Sequence, residues 1–82
     1  MTTEEKIKTF VLENFLFTDD ESAIGNDESF QERGIIDSTG VLEVIQFLEE
    51  EFDIQIQDNE MIPENLDSIS KIKRFVESKT AA

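Results

Sequence analysis

The fold of this chain is decided by residues 34–52, GIIDSTGVLEVIQFLEEEF, in which a short turn leads into a strongly amphipathic helix. Asp37 suits the N-cap of this helix, because its carboxylate can accept hydrogen bonds from the free amides of the next turn. From residue 38 to about residue 52, apolar side chains recur at helical spacing. We expect the core face of this helix, helix two, to be a narrow stripe with two flanking residues: Val41, Ile45, Leu48 and Phe52, flanked by Leu42 and Val44.

Ser38 falls at about the first position of helix two. Unpaired N–H groups and the helix dipole favour a negatively charged group there. We expect the Ser38 hydroxyl to be solvated, with Ile35 and Ile36 packed inward behind it. A serine in this setting can carry a phosphate, but most Asp-Ser pairs before an apolar run are only helix caps, so the rest of the chain must decide.

The outer face of helix two is acidic. Glu43 and Glu50 lie opposite the core stripe, and Gln46 and Phe47 border that face. We predict that these four residues form a partner-binding surface beside Ser38. Two interpretations of Phe47 stay open, one in which its ring reaches back under a loop and one in which it contacts the partner.

Composition limits what the chain can be. Its 82 residues suffice for one small domain, which must bury nearly all of its 38% apolar residues. The absence of Cys excludes disulfides and thiolate metal sites, and the absence of His, Trp and Tyr removes most general-base and ligand chemistry. The N-terminal residues lack signal-peptide features, and no apolar run approaches membrane-spanning length. We therefore expect a cytoplasmic monomer without membrane insertion.

The charge distribution predicts a basic protein partner. The chain has 20 acidic and 7 basic residues, for a net charge of −13. Between Arg33 and Lys71 there are ten acidic residues and no Lys or Arg. This charge argues against nucleic acid and anionic membranes, whereas a basic surface of another protein would be attracted.

The remaining segments indicate an all-α domain over residues 1–82, a small three-to-four-helix bundle. We expect helix one at about 4–16, a long structured loop over 17–36, helix two at about 38–52, a short helix at about 59–62 and a last helix at about 68–79. Four apolar residues should pin the loop onto the helices: Ile24, Phe30, Ile35 and Ile36. Pro63 should end the short helix, and Asp67 or Ser68 should cap the last one.

At this point the chain resembles a known family, the phosphopantetheine-binding acyl and peptidyl carrier proteins, in their stand-alone form. The resemblance covers nearly the whole chain. It centres on residues 34–38, GIIDS, followed by residues 48–54, LEEEFDI, then Ile56 and a short acidic segment before the final helix. Members of this family hold growing or activated acyl groups as thioesters on a phosphopantetheine arm.

The resemblance implies that Ser38 accepts a 4′-phosphopantetheine arm from coenzyme A. A separate, Mg-dependent phosphopantetheinyl transferase would attach the arm, with Asp37 near the metal in that complex. The carrier itself would catalyse nothing. The thiol at the end of the arm would bear the acyl or aminoacyl group, which explains thioester chemistry in a chain without cysteine. The implied further partners are loading and acyl-transfer enzymes with basic docking patches.

The chain also departs from the family pattern. Carriers usually have Leu or Met directly after the serine, and this chain has Thr39. Fatty-acid carriers commonly have an acid at the next position, where Gly40 is more similar to the D-alanyl carriers. Residues 63–68, PENLDS, resemble small stand-alone carriers outside general fatty-acid synthesis. These departures leave the cargo open.

The same residues bear on other classes of function. A calcium loop starting at Asp19 would need Gly and Glu where the chain has Ile24 and Phe30, and one starting at Asp20 fails at its last ligand, Gln31. No metal site is therefore expected. An enzyme is disfavoured, because a domain this small has little room for a ligand-sized pocket. The serious alternative is an unmodified acidic helical adaptor that binds a basic partner through helix two.

Overall fold

The computed structural model describes residues 2–80 and confirms the predicted all-α bundle: this part of the chain contains five α-helices and no β-strand. The helices are α1, Thr3–Val11; α2, Phe30–Arg33; α3, Ser38–Phe52; α4, Pro63–Leu66; and α5, Ile69–Thr80. A π-helical turn, Leu12–Leu16, extends α1, and 3₁₀ turns occupy Glu21–Ala23 and Asp58–Glu60. The predicted domain also includes residues 1, 81 and 82, which lie outside the described residues.

The three long helices, α1, α3 and α5, enclose one apolar core. The radius of gyration of the Cα atoms is 11.7 Å, which matches the value of about 12 Å for a compact domain of this length. Fifteen apolar side chains are buried in this core, among them Ile7, Val11, Leu48, Ile69 and Ile72. No helix within residues 2–80 has both the length and the apolar character needed to cross a membrane.

Helix α1 begins and ends with side chains and backbone geometry that satisfy its terminal groups. The Thr2 hydroxyl accepts a hydrogen bond from the Glu5 N–H, as an N-cap does. At the other end the helix widens into the π-helical turn and stops at Phe17, whose backbone is left-handed with φ 54° and ψ 44°. The next residue, Thr18, donates its N–H to the Leu12 carbonyl at 3.1 Å and closes the turn.

The segment predicted as a loop, residues 17–36, contains the one-turn helix α2 as well as a 3₁₀ turn. The Ser29 hydroxyl caps α2 by accepting from the Glu32 N–H, and it donates to the Asp67 carboxylate. Asp67 also accepts from the Gln31 N–H at 3.0 Å. A helix of four residues is too short to show periodicity in the sequence, so only these contacts reveal it. Of the four predicted pins, three are buried and Ile35 is half-buried.

Asp67 thus supports the start of α2, where Ser29 is the cap, and Ser68 caps α5. The Ser68 hydroxyl accepts from the Lys71 N–H at 3.1 Å, and Ser68 itself is buried. The sequence left the choice between these two neighbours open. The structure has Ser68 as the cap of the last helix, whereas the Asp67 carboxylate accepts hydrogen bonds from Ser29 and Gln31 at the start of α2.

The predicted short helix at about 59–62 is wrong in its position. Pro63 begins α4 instead of ending a helix, and the preceding helical turn is Asp58–Glu60. Proline is well suited to the first helical position, because the N–H that it lacks would be unpaired there anyway. Ile62 is extended, with φ −118° and ψ 155°, as the residue before a proline is expected to be.

The centre of the buried face of α3 lies where the sequence predicts it, but the prediction that Leu42 flanks this face is wrong. Leu48, Val44 and Ile45 are buried, whereas Leu42 is 61% exposed. On a helical projection Leu42 lies about 120° from Leu48, since each residue turns the helix by about 100°. Leu42 therefore faces solvent on the side of the helix that carries Ser38.

Two carboxylates, those of Glu28 and Glu60, accept hydrogen bonds that lower their pKa, and this determines how the stability of the fold responds to acid. Lys79 donates to Glu60 and lowers the pKa of that carboxyl, with a further contribution from the Gln57 N–H. The Gly25 N–H is the main group that lowers the pKa of Glu28. A carboxyl with a lowered pKa stabilises the fold above its unfolded value, and this stability is lost as the pH falls through the folded value.

We therefore expect the melting temperature to fall once the pH drops below 4.5, the ordinary pKa of Glu. Glu60→Gln should lower the melting temperature at pH 7 by a few degrees at most, because the pair with Lys79 is partly exposed. Below the folded pKa this difference should disappear. Thermal melts of both proteins across pH measure it, and a difference that is the same at neutral and acidic pH would contradict the assignment.

Candidate functional site

Ser38 stands exposed at the N-terminus of α3. Asp37 caps the helix as predicted: its Oδ1 atom accepts from the Gly40 N–H at 2.7 Å, and its carbonyl accepts from the Val41 N–H at 2.9 Å. Ile36 is buried directly behind the serine. The hydroxyl is thus presented to solvent at the positively polarised end of a fifteen-residue helix, where a phosphodiester is electrostatically favoured.

Gly40 allows helix α1 to approach this helix start closely. A Cβ atom at Gly40 would lie 2.8 Å from Cε1 of Phe15 and 3.1 Å from Cγ2 of Ile36. The Phe15 ring therefore occupies the space that any larger side chain would need. This contact gives a physical reason for a glycine at the position where fatty-acid carriers commonly have an acid.

We expect Gly40→Ala to lower the free energy of unfolding by about 1 kcal/mol. The clash with Phe15 costs about 1–3 kcal/mol, while alanine gains up to about 1 kcal/mol in helix propensity. Chemical denaturation measures the net effect. In a Phe15→Ala background the same substitution should no longer destabilise, because the clash is gone. An equal loss in both backgrounds would mean that Phe15 is not the obstacle.

Aromatic stacking joins α1 to α3 below the serine. The rings of Phe10 and Phe47 lie 4.1 Å apart between centroids, at an interplanar angle of 10°. Phe52 meets Phe47 edge to face, with centroids 6.2 Å apart. The ring of Phe47 packs on α1, a contact that the sequence did not predict. Phe47 remains half-buried, so part of it still borders solvent.

The four predicted partner-binding residues lie in one open groove between α1 and α3. Glu43, Gln46 and Glu50 are exposed, and the Gln46 amide lies 3.4 Å from Glu50 Oε1. Phe10 of α1 and Asn14 of the turn that extends it complete the groove. Sequence reasoning missed these two residues, because no local pattern relates the two helices. The lining residues are Phe10, Asn14, Glu43, Gln46, Phe47 and Glu50.

Leu42 is a second residue that sequence reasoning missed. It lies four residues after Ser38, so the two side chains are neighbours on one side of the helix. Gln46 and Glu50 continue the same row, and all four residues are exposed. The available signal was the helical phase, which puts Leu42 closer to Ser38 than to the centre of the core stripe.

The acidic residues of α3 divide into structural and free ones. Glu49 accepts a hydrogen bond from the Ile56 N–H at 3.1 Å and holds the connector after the helix. Glu51 lies 3.4 Å from Lys6 of α1. By contrast, no Lys or Arg within residues 2–80 lies within ion-pair distance of Glu43 or Glu50. Their charges are therefore available to another molecule.

An apolar cleft lies on the core side of the helix start, where Ile36 and Val41 face Met61 and Leu66. Its volume is about 70 Å³, well below the roughly 300–1,000 Å³ of typical ligand pockets. Across residues 2–80, no cluster of three acidic side chains is arranged to hold a metal ion. The candidate site thus consists of an exposed serine and an open groove between α1 and α3, and the apolar cleft at the helix start is smaller than a ligand pocket.

Together, the fold and the site define a small acidic helical domain that presents one capped serine, which is the architecture of a carrier domain. The chain belongs to the acyl carrier protein family. It is 37% identical over 76 residues to the acyl carrier proteins of Buchnera aphidicola subsp. Acyrthosiphon pisum, strains 5A and APS. Each match covers 93% of this chain and 90% of the relative. No family model matches the chain.

Proposed function

We propose that this chain carries an acyl or aminoacyl group as a thioester on a 4′-phosphopantetheine arm attached to Ser38, and presents it to partner enzymes. The observation that carries the proposal is the exposed, Asp37-capped serine at the start of α3 in a chain of the acyl carrier protein family. The site fits the arm, because nothing covers the Ser38 hydroxyl and the helix start favours the negative charge of a phosphodiester.

A separate phosphopantetheinyl transferase would attach the arm from coenzyme A. The Ser38 oxygen bonds to the phosphorus at the pantetheine end and the phosphoanhydride bond breaks. Adenosine bisphosphate leaves with the electron pair, and the serine proton passes to the transferase. When bound, the arm supplies a thiol that the chain, with no cysteine, lacks. Because coenzyme A and the transferase must be available to the chain, we also propose a cytoplasmic location.

In this proposal the chain holds the arm and presents its cargo to the partner enzymes, and it does not catalyse a reaction itself. Asp37 keeps the helix start formed through its bond to Gly40, so the modified residue stays on a rigid element. The cleft beside Ser38 is too small to bind a substrate and exclude water around it. Chemistry on the cargo is therefore assigned to the partners.

Intact mass after incubation with a broad-specificity phosphopantetheinyl transferase and coenzyme A tests the proposal. We expect the whole sample to gain the mass of one arm and no more. A carrier already known to accept the arm serves as the positive control. If the control is modified and this chain is not, the alternative stands: an unmodified acidic adaptor that binds a basic partner through α3.

Glu43 and Glu50 are proposed to dock basic patches of the partners. They lie seven residues apart, about two turns along one face of α3, so one patch can meet both. We expect reversal of both to Lys to slow arm transfer by about tenfold at low salt and to make its rate less sensitive to salt. The melting temperature should stay within a few degrees, because exposed carboxylates contribute little to folding.

A matched control separates docking from net charge. Glu64 and Glu77 are exposed and lie outside the groove, on α4 and α5. Reversing both to Lys changes the net charge equally and should alter the rate far less. The rate of arm transfer to both double variants is measured by quenching the reaction at successive times, at several salt concentrations, and determining the modified fraction by mass spectrometry. Equal rates for the two double variants would show that docking uses another surface.

A further inference from the structure

The side chain of Phe17, at the end of the π-helical turn that extends α1, does not belong to the apolar core. Its side chain is 84% exposed, the largest exposure among the large apolar residues that the structure describes. Its backbone is left-handed, with φ 54°, at a helix end where glycine or asparagine is usual. A phenylalanine in this conformation is strained and gains little from burial. Folding therefore gives no reason for a large aromatic ring here.

The packing of α1 against α3 brings Phe17 to the level of Ser38. The two helices run antiparallel, and three contacts define their register: Lys6 with Glu51, Phe10 with Phe47, and Phe15 with Gly40. Each step forward along α1 corresponds to a step back along α3. Phe17 follows Phe15 by two residues and Ser38 precedes Gly40 by two, so both lie at the end of the bundle where α1 ends and α3 begins. Chain geometry limits the separation of their Cα atoms to about 20 Å.

The surface around Phe17 is acidic. Between Lys8 and Arg33 there are seven acidic residues and no Lys or Arg. Four of these acids line a shallow groove next to Phe17 and form what we call the acidic rim: Glu13, Asp19, Asp20 and Glu21. An exposed aromatic ring with an acidic rim complements an apolar pocket surrounded by basic side chains.

We propose that Phe17 is a docking residue for the phosphopantetheinyl transferase, inserting into an apolar, basic-rimmed pocket beside the transferase active site; this inference rests on the proposed function. The transferase must bring the Ser38 oxygen itself into its active site, whereas later partners are reached by the length of the arm. A standard interface is about 30 Å across, comparable with the 33 × 27 Å face of this molecule. Phe17 therefore lies within reach of a partner that is seated over Ser38.

Steady-state kinetics of arm transfer test this inference, with a broad-specificity phosphopantetheinyl transferase and coenzyme A as the probe. Phe17→Asn removes the ring and suits the left-handed backbone. We expect it to raise the KM for the carrier about tenfold, the effect of a moderate hot-spot residue, while kcat changes less than twofold. Phe17→Tyr keeps the ring and should restore most of the affinity. The melting temperature of Phe17→Asn should not fall.

Each other outcome overturns the inference in a distinct way. An unchanged KM in a folded Phe17→Asn protein would show that the ring does not dock. Equal losses in the Asn and Tyr variants would show that the ring itself is not the recognised group. Self-association of the wild type, lost in Phe17→Asn and seen by sedimentation, would assign Phe17 to contacts between copies of this chain. Failure of the wild type to take up any arm would instead refute the proposed function.

Discussion

The Ser38→Ala variant should take up no arm at all when incubated with transferase and coenzyme A, while the wild type is fully converted. The hydroxyl oxygen is the only atom of this side chain that can bond to the phosphorus, and alanine removes it. The helix start should survive, because Asp37 still accepts from the Gly40 N–H and alanine is favourable within a helix. Intact mass and a thermal melt of the same sample separate loss of the site from loss of the fold.

The neighbouring hydroxyl provides a matched control. Thr39 is also exposed and lies one residue further into α3. Thr39→Ala should accept the arm as the wild type does, since its hydroxyl is not at the first position of the helix. Residual labelling of Ser38→Ala that disappears in the double variant would move the attachment site to Thr39.

Leu48→Ala should lower the free energy of unfolding by about 2–5 kcal/mol, the range for truncating a buried leucine. Leu48 is 0% exposed and lies in the middle of the core stripe of α3. Small domains have a total stability of about 5–15 kcal/mol, so this one change removes a large share. Urea denaturation followed by circular dichroism measures the loss.

Leu42→Ala is the matched control for Leu48→Ala, because it makes the same change on the same helix. Leu42 is 61% exposed, so its truncation should alter the stability by no more than about 0.5 kcal/mol. Losses of similar size at both positions would contradict the assignment of the two faces of α3. The rate of arm transfer to Leu42→Ala also shows whether the transferase contacts this residue, since the leucine side chain lies one helical turn from Ser38.

The parts of the fold that the sequence predicts correctly depend on local signals. The start of α3 follows from Asp37 and the residues directly after it, because a cap acts over three residues. The buried stripe around Leu48 follows from helical periodicity alone. Ser38 could be singled out for the same reason: its exposure at a helix start is a local property.

The parts that the sequence misses depend on contacts between distant residues. Helix α2 is stabilised by Asp67, which lies 38 residues after Ser29. Pro63 is ambiguous in sequence, since proline both ends helices and begins them. Which role applies depends on the chain around it. Local rules therefore predicted a helix end where the fold has a helix start.

For the same reason, the sequence predicts only the α3 residues of the groove that we propose as the docking surface. Glu43 and Glu50 follow from the pattern of α3, but Phe10 and Asn14 join them only through the packing of α1. Phe17 reads as the first residue of a loop in the sequence. Its position at the same end of the bundle as Ser38 follows from the antiparallel packing of α1 on α3, which the periodicity of a single helix does not contain.

The most direct test of the central claim is the intact mass of this protein purified from its native host, measured before and after treatment with hydroxylamine, which cleaves thioesters. We expect a chain that is heavier than its sequence by the mass of one arm and one acyl or aminoacyl group. Hydroxylamine should remove that group and leave the arm on the peptide that contains Ser38. The mass lost identifies the cargo. A native protein of unmodified mass, which transferase and coenzyme A cannot increase, would contradict the account.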